Sequence, residues 1–237
     1  MTMKLLKFGN GNAKLGTKIK TFSLPAGHSC PFAKDCLSKS DKDTGKITDG
    51  VHTEFRCFAA SAEAVYTNTR LARWHNFELL RGLGAIDSAK LIQASIPKGT
   101  LYVRIHVSGD FFSQAYFDAW IIVAKSNPHI LFYAYTKSIG YWINRQNDIP
   151  SNLVLTASIG GKLDLIAEIN NLKTARVVYS VEEADALGLE IDHDDSHAMI
   201  GGKSFALLIH GTQPPSSKGA IAMKQMKKEG VKFSYSK

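Results

Sequence analysis

From Thr100 onward the chain repeats one pattern: a short apolar run rich in β-branched and aromatic residues, a polar turn, then a stretch with helical spacing. "TLYVRIHVSGD" is followed by "SQAYFDAWIIVAKSNP", in which Ser113 is placed to cap a helix and Pro128 to stop it. "HILFYAYTKS" precedes "IGYWINRQND", "NLVLTASIGG" precedes "KLDLIAEINNL", "ARVVYSV" precedes "EEADALGLE", and "SFALLIHGTQ" precedes "SSKGAIAMKQMKKEG". Upstream, "KIKTFSL" (Lys18 to Leu24) reads as a strand. "FAASAEAVYTNTRLARWHNFELLRGLG" reads as one long helix with an apolar face at Ala60, Ala64, Leu71, Trp74 and Leu79, stopping at Gly82 and Gly84.

These make six strand-then-helix units. Strands that read as continuous apolar runs belong to a mainly parallel sheet covered on both faces. The expected fold is therefore α/β, a single domain spanning 1–237, with a partial or complete TIM-like barrel. An open doubly wound sheet shares the same periodicity. A cysteine-containing insertion loop is expected at about 25–57.

A chain of 237 residues with 44% hydrophobic content is long enough for one sizeable core. No run approaches the ~18 apolar residues of a membrane span, and the N-terminal stretch is too short and polar for a secretory signal, so no membrane partner and a cytosolic location are expected. The formal charge of +8 favours a polyanionic partner, a nucleotide or nucleic acid. Contributors include the lysines between Lys4 and Lys20, then Arg70, Arg73 and Arg81, and the basic terminal stretch with Phe233 and Tyr235 interleaved for base stacking.

In parallel α/β folds the loops at the carboxyl ends of the strands converge and build the site. Here those ends carry His28, Ser29 and Cys30; His106, Ser108 and Asp110; Tyr135, Thr136 and Lys137; Thr156, Ser158, Gly160 and Gly161; Ser180 and Glu182; and His210, Gly211, Thr212 and Gln213. All six sets are expected to face one pocket. His106 and Asp110 are candidates for proton transfer or for metal ligation, with a satisfied core histidine as the other reading of His106, and Lys137 is a candidate for a base or an anion contact. Ser108, Gly109, Thr156, Ser158, His210 and Gln213 are candidates for holding a cofactor. The small-residue loops "TASIGG" and "HGTQPPSSKG" offer backbone N–H groups that could cradle phosphate. "IDHDDSHAMIGG" offers His193 and His197 with Asp194 and Asp195 for a divalent ion, or else a solvated acidic loop.

All three cysteines fall in the first quarter of the chain: Cys30 and Cys36 as C-x5-C, then Cys57. In a reducing compartment that odd set reads as metal ligands, a reactive thiol or small buried residues. Three thiolates could hold a 4Fe-4S cluster and leave one iron open to a small molecule. With His28 or His52 they could instead surround zinc.

The segments "KLGTKIKTFSLPAGHSCPFAKDC", "RIHVSGDFFSQAYFDAW", "FYAYTKS" and "LTASIGG" resemble the gene product 88 family of phage and prophage genomes. That resemblance implies a phage or mobile-element origin and action inside a bacterial host cell. A more distant likeness, of architecture and loop placement, is to radical S-adenosylmethionine enzymes. It implies a partial barrel of six strand-helix units, a cluster-binding cysteine loop after the first strand, and a glycine-containing motif after the second, where "HVSGDF" lies. The chain lacks the C-x3-C-x2-C of those enzymes.

Two functions follow as expectations. One is an iron-sulfur enzyme acting on a nucleotide or nucleic-acid substrate, with Cys30, Cys36 and Cys57 as ligands and S-adenosylmethionine as an implied cofactor. The other is a non-catalytic, basic nucleic-acid-binding protein whose cysteine loop is fixed by zinc or by packing alone.

Overall fold

The computed structural model describes residues 4–11 and 18–232, and the six expected strands all lie within them. In chain order the elements are β1 (Gly9–Asn10), β2 (Ile19–Phe22), β3 (Ser38–Ser40), β4 (Ile47–Asp49), α1 (Phe58–Val65), α2 (Thr67–Leu80) and α3 (Ala85–Ser95). They continue as β5 (Tyr102–Ile105), α4 (Gln114–Ser126), β6 (Leu131–Thr136), α5 (Ile139–Ile143), β7 (Leu153–Ser158), α6 (Asp164–Ile169), β8 (Thr174–Val178) and α7 (Val181–Ala186). Last come β9 (Glu190–Ile191), α8 (Ser196–Met199), β10 (Phe205–Leu208) and α9 (Lys218–Lys228).

Eight strands form one sheet in the order β1-β2-β5-β6-β7-β8-β10-β9, and only the β1–β2 pair is antiparallel. From β2 to β10 the parallel strands follow one another in chain order, with none of the reversal that defines a doubly wound sheet. The sheet is not closed: it ends at β1 and β9, which corrects the expectation of a complete barrel.

Strand alternation assigns the two faces. Val103, Ile105, Phe132, Ala134, Leu153 and Leu155 pack with Ile92 of α3 and Phe117 and Trp120 of α4. Tyr133, Ala175 and Phe205 point the other way, where Ala198 of α8 covers them. Ser113 caps α4 as its sequence suggests, its hydroxyl accepting the Tyr116 N–H. Removing the fully buried Trp120 side chain would cost about 3–5 kcal/mol.

The long helix expected from Phe58 to Gly84 is two helices. Tyr66 is extended between them (φ −107°, ψ 94°). The break lets Arg70 fold back so that Nη1 donates to the Glu63 carbonyl at 2.6 Å, supplying a partner for an orphan carbonyl at the end of α1. Arg73 Nη1 donates to the Ala59 carbonyl and to Glu63 Oε1. The inner face of α2 is therefore Arg70, Arg73, Asn76 and Leu80, while Leu71 is exposed. Gly84 begins α3 rather than only ending its predecessor.

Candidate functional site

The loop after β2 turns sharply at Gly27, where φ is +69° and a Cβ would lie 2.4 Å from the Ser38 carbonyl oxygen, so glycine is needed. The turn brings the Gly27 N–H to 3.3 Å from Cys30 Sγ. The loop then crosses the strand ends: Ala33 bridges to Gly161, Asp35 N–H donates to the Gly160 carbonyl, and Lys162 N–H donates to Phe32. Its interior is the β3–β4 hairpin. It returns beside β10, where Gln213 grips the Arg56 backbone from both sides, and Cys57 N–H donates to Ser38 Oγ at the entrance to α1.

This path brings Cys30, Cys36 and Cys57 into the wall of one cavity of about 170 Å³ at the carboxyl ends of the strands. They are the residues that could hold a metal centre. Among the described residues no three His, Cys, Asp or Glu side chains are gathered for a single metal ion. Burial, then the charges of Asp110, Cys57 and Cys36, push the Cys30 thiol well above its usual range, against the Gly27 N–H. Cys57 is pushed up to about 11 by burial and by Cys36, while the Ala60 and Ala59 amides pull the other way. Both thiols are protonated at neutral pH, which argues against a free nucleophilic thiolate. Metal binding would have to displace those protons. Neither expected histidine joins them. His28 packs on Trp74 and bonds to the Ser40 carbonyl, and His52 is exposed.

Several strand-end residues do reach the cavity. Ser108 borders it and donates to Glu63 Oε1 at 3.1 Å, and Gly109, at φ +84°, lets β5 approach the first loop. Asp110 borders it with both oxygens occupied: Oδ1 accepts from Phe111 N–H and Thr136 Oγ1, and Oδ2 accepts from Lys137 N–H. Burial raises its carboxyl to about 6 against those hydrogen bonds. Lys137, Ser158 and His210 also line the wall, and the His210 ring lies 4.8 Å from that of Phe58.

Others are placed differently. His106 borders the cavity, but its ring packs among Phe111, Tyr116 and Phe22, and Nε2 meets the Tyr116 hydroxyl at 3.0 Å. Burial lowers it to about 3, which favours the neutral ring at pH 7. Thr156 is fully buried, and neither it nor Gln213 lines the cavity. The N–H groups of Gly160 and Gly161 are taken by Asp164, so that loop does not present them to phosphate, and in the second loop Ser217 caps α9 by accepting the Ala220 N–H. Arg70 and Arg73 are buried in hydrogen bonds and cannot meet nucleic acid. Phe233 and Tyr235 lie outside the described residues.

Arg104 and Asp195 form a buried pair beneath the cavity. Arg104 Nη1 donates to Asp195 Oδ2 at 2.6 Å, its guanidinium lies 5.0 Å from the Tyr135 ring, and Tyr133 and Tyr135 donate to the same carboxylate. The acidic segment is thus not simply solvated: Asp192 and Asp195 are buried, while His193 and Asp194 are exposed and His197 meets Glu190. Strict alternation in "YVRI" places Arg104 opposite the core-facing Val103 and Ile105. That was the available signal for it.

Residues 3–227 match the family described as Gene product 88. The chain belongs to that family. It is 31% identical over 138 residues to the gene 88 protein of Mycobacterium phage L5, covering 54% of this chain and 51% of that protein. The gene 88 protein of Mycobacterium phage D29 is 30% identical over 138 residues, covering 54% and 50%. The chain thus spans about half the length of the curated relatives it matches. No solved structure matches it. Among the described residues of this gene product 88 family member, no helix is long and apolar enough to cross a membrane.

Proposed function

We propose that this protein is an iron-sulfur enzyme whose 4Fe-4S cluster is held by Cys30, Cys36 and Cys57. The observation that carries the reading is that all three thiols of the chain, from the loop after β2 and the entrance to α1, line one cavity. A single zinc ion with ~2.3 Å bonds draws its sulfurs to within ~4 Å of one another, whereas a cluster spreads its thiolates around a larger core. Zinc in the expected set would also need His28 or His52, and neither lines the cavity.

With three protein ligands a cluster would supply an open iron that binds and polarises a small molecule. The chain's own residues do the rest. Lys137 contributes positive charge, Ser108 and Ser158 offer hydroxyls, and Phe55, Phe58 and Leu207 give the cavity an apolar lining. The chain-order succession of parallel strands supports a partial barrel, the architecture of radical S-adenosylmethionine enzymes, so S-adenosylmethionine is the proposed cofactor, seated near Ser108 and Gly109. The net charge of +8 favours a nucleotide or nucleic-acid substrate, met in the cytoplasm of a bacterial host.

Anaerobic reconstitution with iron and sulfide tests this reading. About four irons per chain are expected, lost when all three cysteines become serine. Protein that stays colourless and iron-free overturns it. The non-catalytic nucleic-acid binder instead predicts salt-sensitive binding that survives the same three substitutions.

A further inference from the structure

Lys137 is only 8% exposed. Its ammonium donates to the Ser158 carbonyl at 3.1 Å, the Ser158 hydroxyl at 2.6 Å and the Ile159 carbonyl at 3.0 Å. All of these acceptors are neutral. Asp110, the carboxylate beside it in the fold, faces the Lys137 backbone N–H, and Asp164 is engaged by the Gly160 and Gly161 amides. Among the described residues Lys137 Nζ has no ion-pair partner. The Asp110 carboxyl feels the charge of Lys137 but takes no hydrogen bond from Nζ, so the ammonium is only partly compensated; a buried ammonium without a direct ion pair is costly, and a bound anion offsets that cost.

The hydroxyl beside it is equipped to meet one. Ser158 Oγ accepts from the ammonium, which leaves its own hydrogen to donate elsewhere and makes it a stronger donor. Ser158 is half-buried and lines the same cavity as Lys137 and the thiols.

We propose that the cavity takes a ligand bearing an oxyanion, a carboxylate or a phosphate group, docked on the Ser158 hydroxyl under the charge of Lys137. The inference rests on the reading of this cavity as the working site, but it requires no cluster.

Thermal unfolding of the metal-free full chain tests it, with inorganic phosphate and acetate titrated against chloride at constant ionic strength. A ligand that binds only the folded state raises the midpoint saturably. Phosphate or acetate is expected to do so, chloride is not, and the anion that acts identifies the oxyanion class. Lys137→Met and Ser158→Ala are expected to weaken the apparent affinity by about tenfold or more, and Lys137→Arg to restore most of it. No saturable shift with either anion, or a shift in both variants undiminished from that of the unsubstituted protein, overturns the proposal. If Lys137→Met fails to fold, Ser158→Ala decides. Iron analysis of the same protein after anaerobic reconstitution with iron and sulfide separates the two readings: a retained anion shift without iron uptake overturns only the cluster, and the converse result overturns only the oxyanion site.

Discussion

Gln213 holds Arg56 by both backbone polar groups: Gln213 Oε1 accepts the Arg56 N–H at 2.9 Å, and Gln213 Nε2 donates to the Arg56 carbonyl at 3.0 Å. The clamp ties the end of β10 to the residue before Cys57, so it fixes the third thiol without touching the cavity. Gln213→Ala is expected to cost about 2–3 kcal/mol, since it removes two hydrogen bonds and leaves the Arg56 groups short of partners. It should also speed thiol labelling of Cys57. Urea unfolding together with labelling rates checks this, and an unchanged midpoint and rate would reject the clamp.

Asp195 carries the charge that neutralises Arg104 beneath the cavity. Asp195→Asn keeps the shape but leaves a buried guanidinium without its anion, and a loss of about 3–5 kcal/mol in denaturant stability is expected. Replacing Arg104 by Met together with Asp195→Asn should recover part of that loss in a double-mutant cycle.

Gly109 sits at φ +84°, and a Cβ there would approach Ser29 Oγ to 2.5 Å and Leu24 Cβ to 2.7 Å. Gly109→Ala is therefore expected to destabilise by about 1–3 kcal/mol through backbone strain, with the collision adding to it. Gly82→Ala, whose Cβ would meet nothing within 4 Å, is the control. Equal melting points for the two variants would contradict the packing described.

His106 makes acid stability depend on burial. Its folded value is lowered to about 3 while the unfolded chain titrates near its ordinary 6.5. Below 6.5 the unfolded chain binds a proton that the folded one refuses, so this contribution to stability is present above pH 6.5 and is lost as pH falls toward 3. Asp110 has the opposite sign over an overlapping window: its carboxyl is raised to about 6, so the folded state binds the extra proton and loses stability as pH rises from about 4 to 6. His106→Asn, which tolerates the left-handed backbone at φ +66°, is expected to flatten the acid-side loss between pH 6.5 and 3. Unfolding free energies measured across that range check it; a parallel, merely offset profile would reject the assignment.

The α/β class, the six principal strands and the cap at Ser113 were legible because each follows from local periodicity and turn chemistry. The polar strand ends were legible too, and Cys30, Ser108, Asp110, Lys137 and Ser158 do line one cavity. The break at Tyr66 was hidden because Arg70 and Arg73 compensate for it from farther along the chain, and no apolar pattern records a buried arginine. The ring packing of His106 against Phe111 and Tyr116 at the cavity's edge was not legible, because it depends on side chains that meet only in the folded chain.

By itself the sequence determined the six principal strands and the helices that follow them from Thr100 onward, since spacing, β-branching and capping act over a few residues. Only the tertiary structure decided that the sheet stays open, that Asp195 neutralises Arg104 from 91 residues away, and that the three thiols share a wall. Those outcomes depend on burial and on charges meeting through space, and the cost of an unpartnered polar group is set by neighbours that no local window contains.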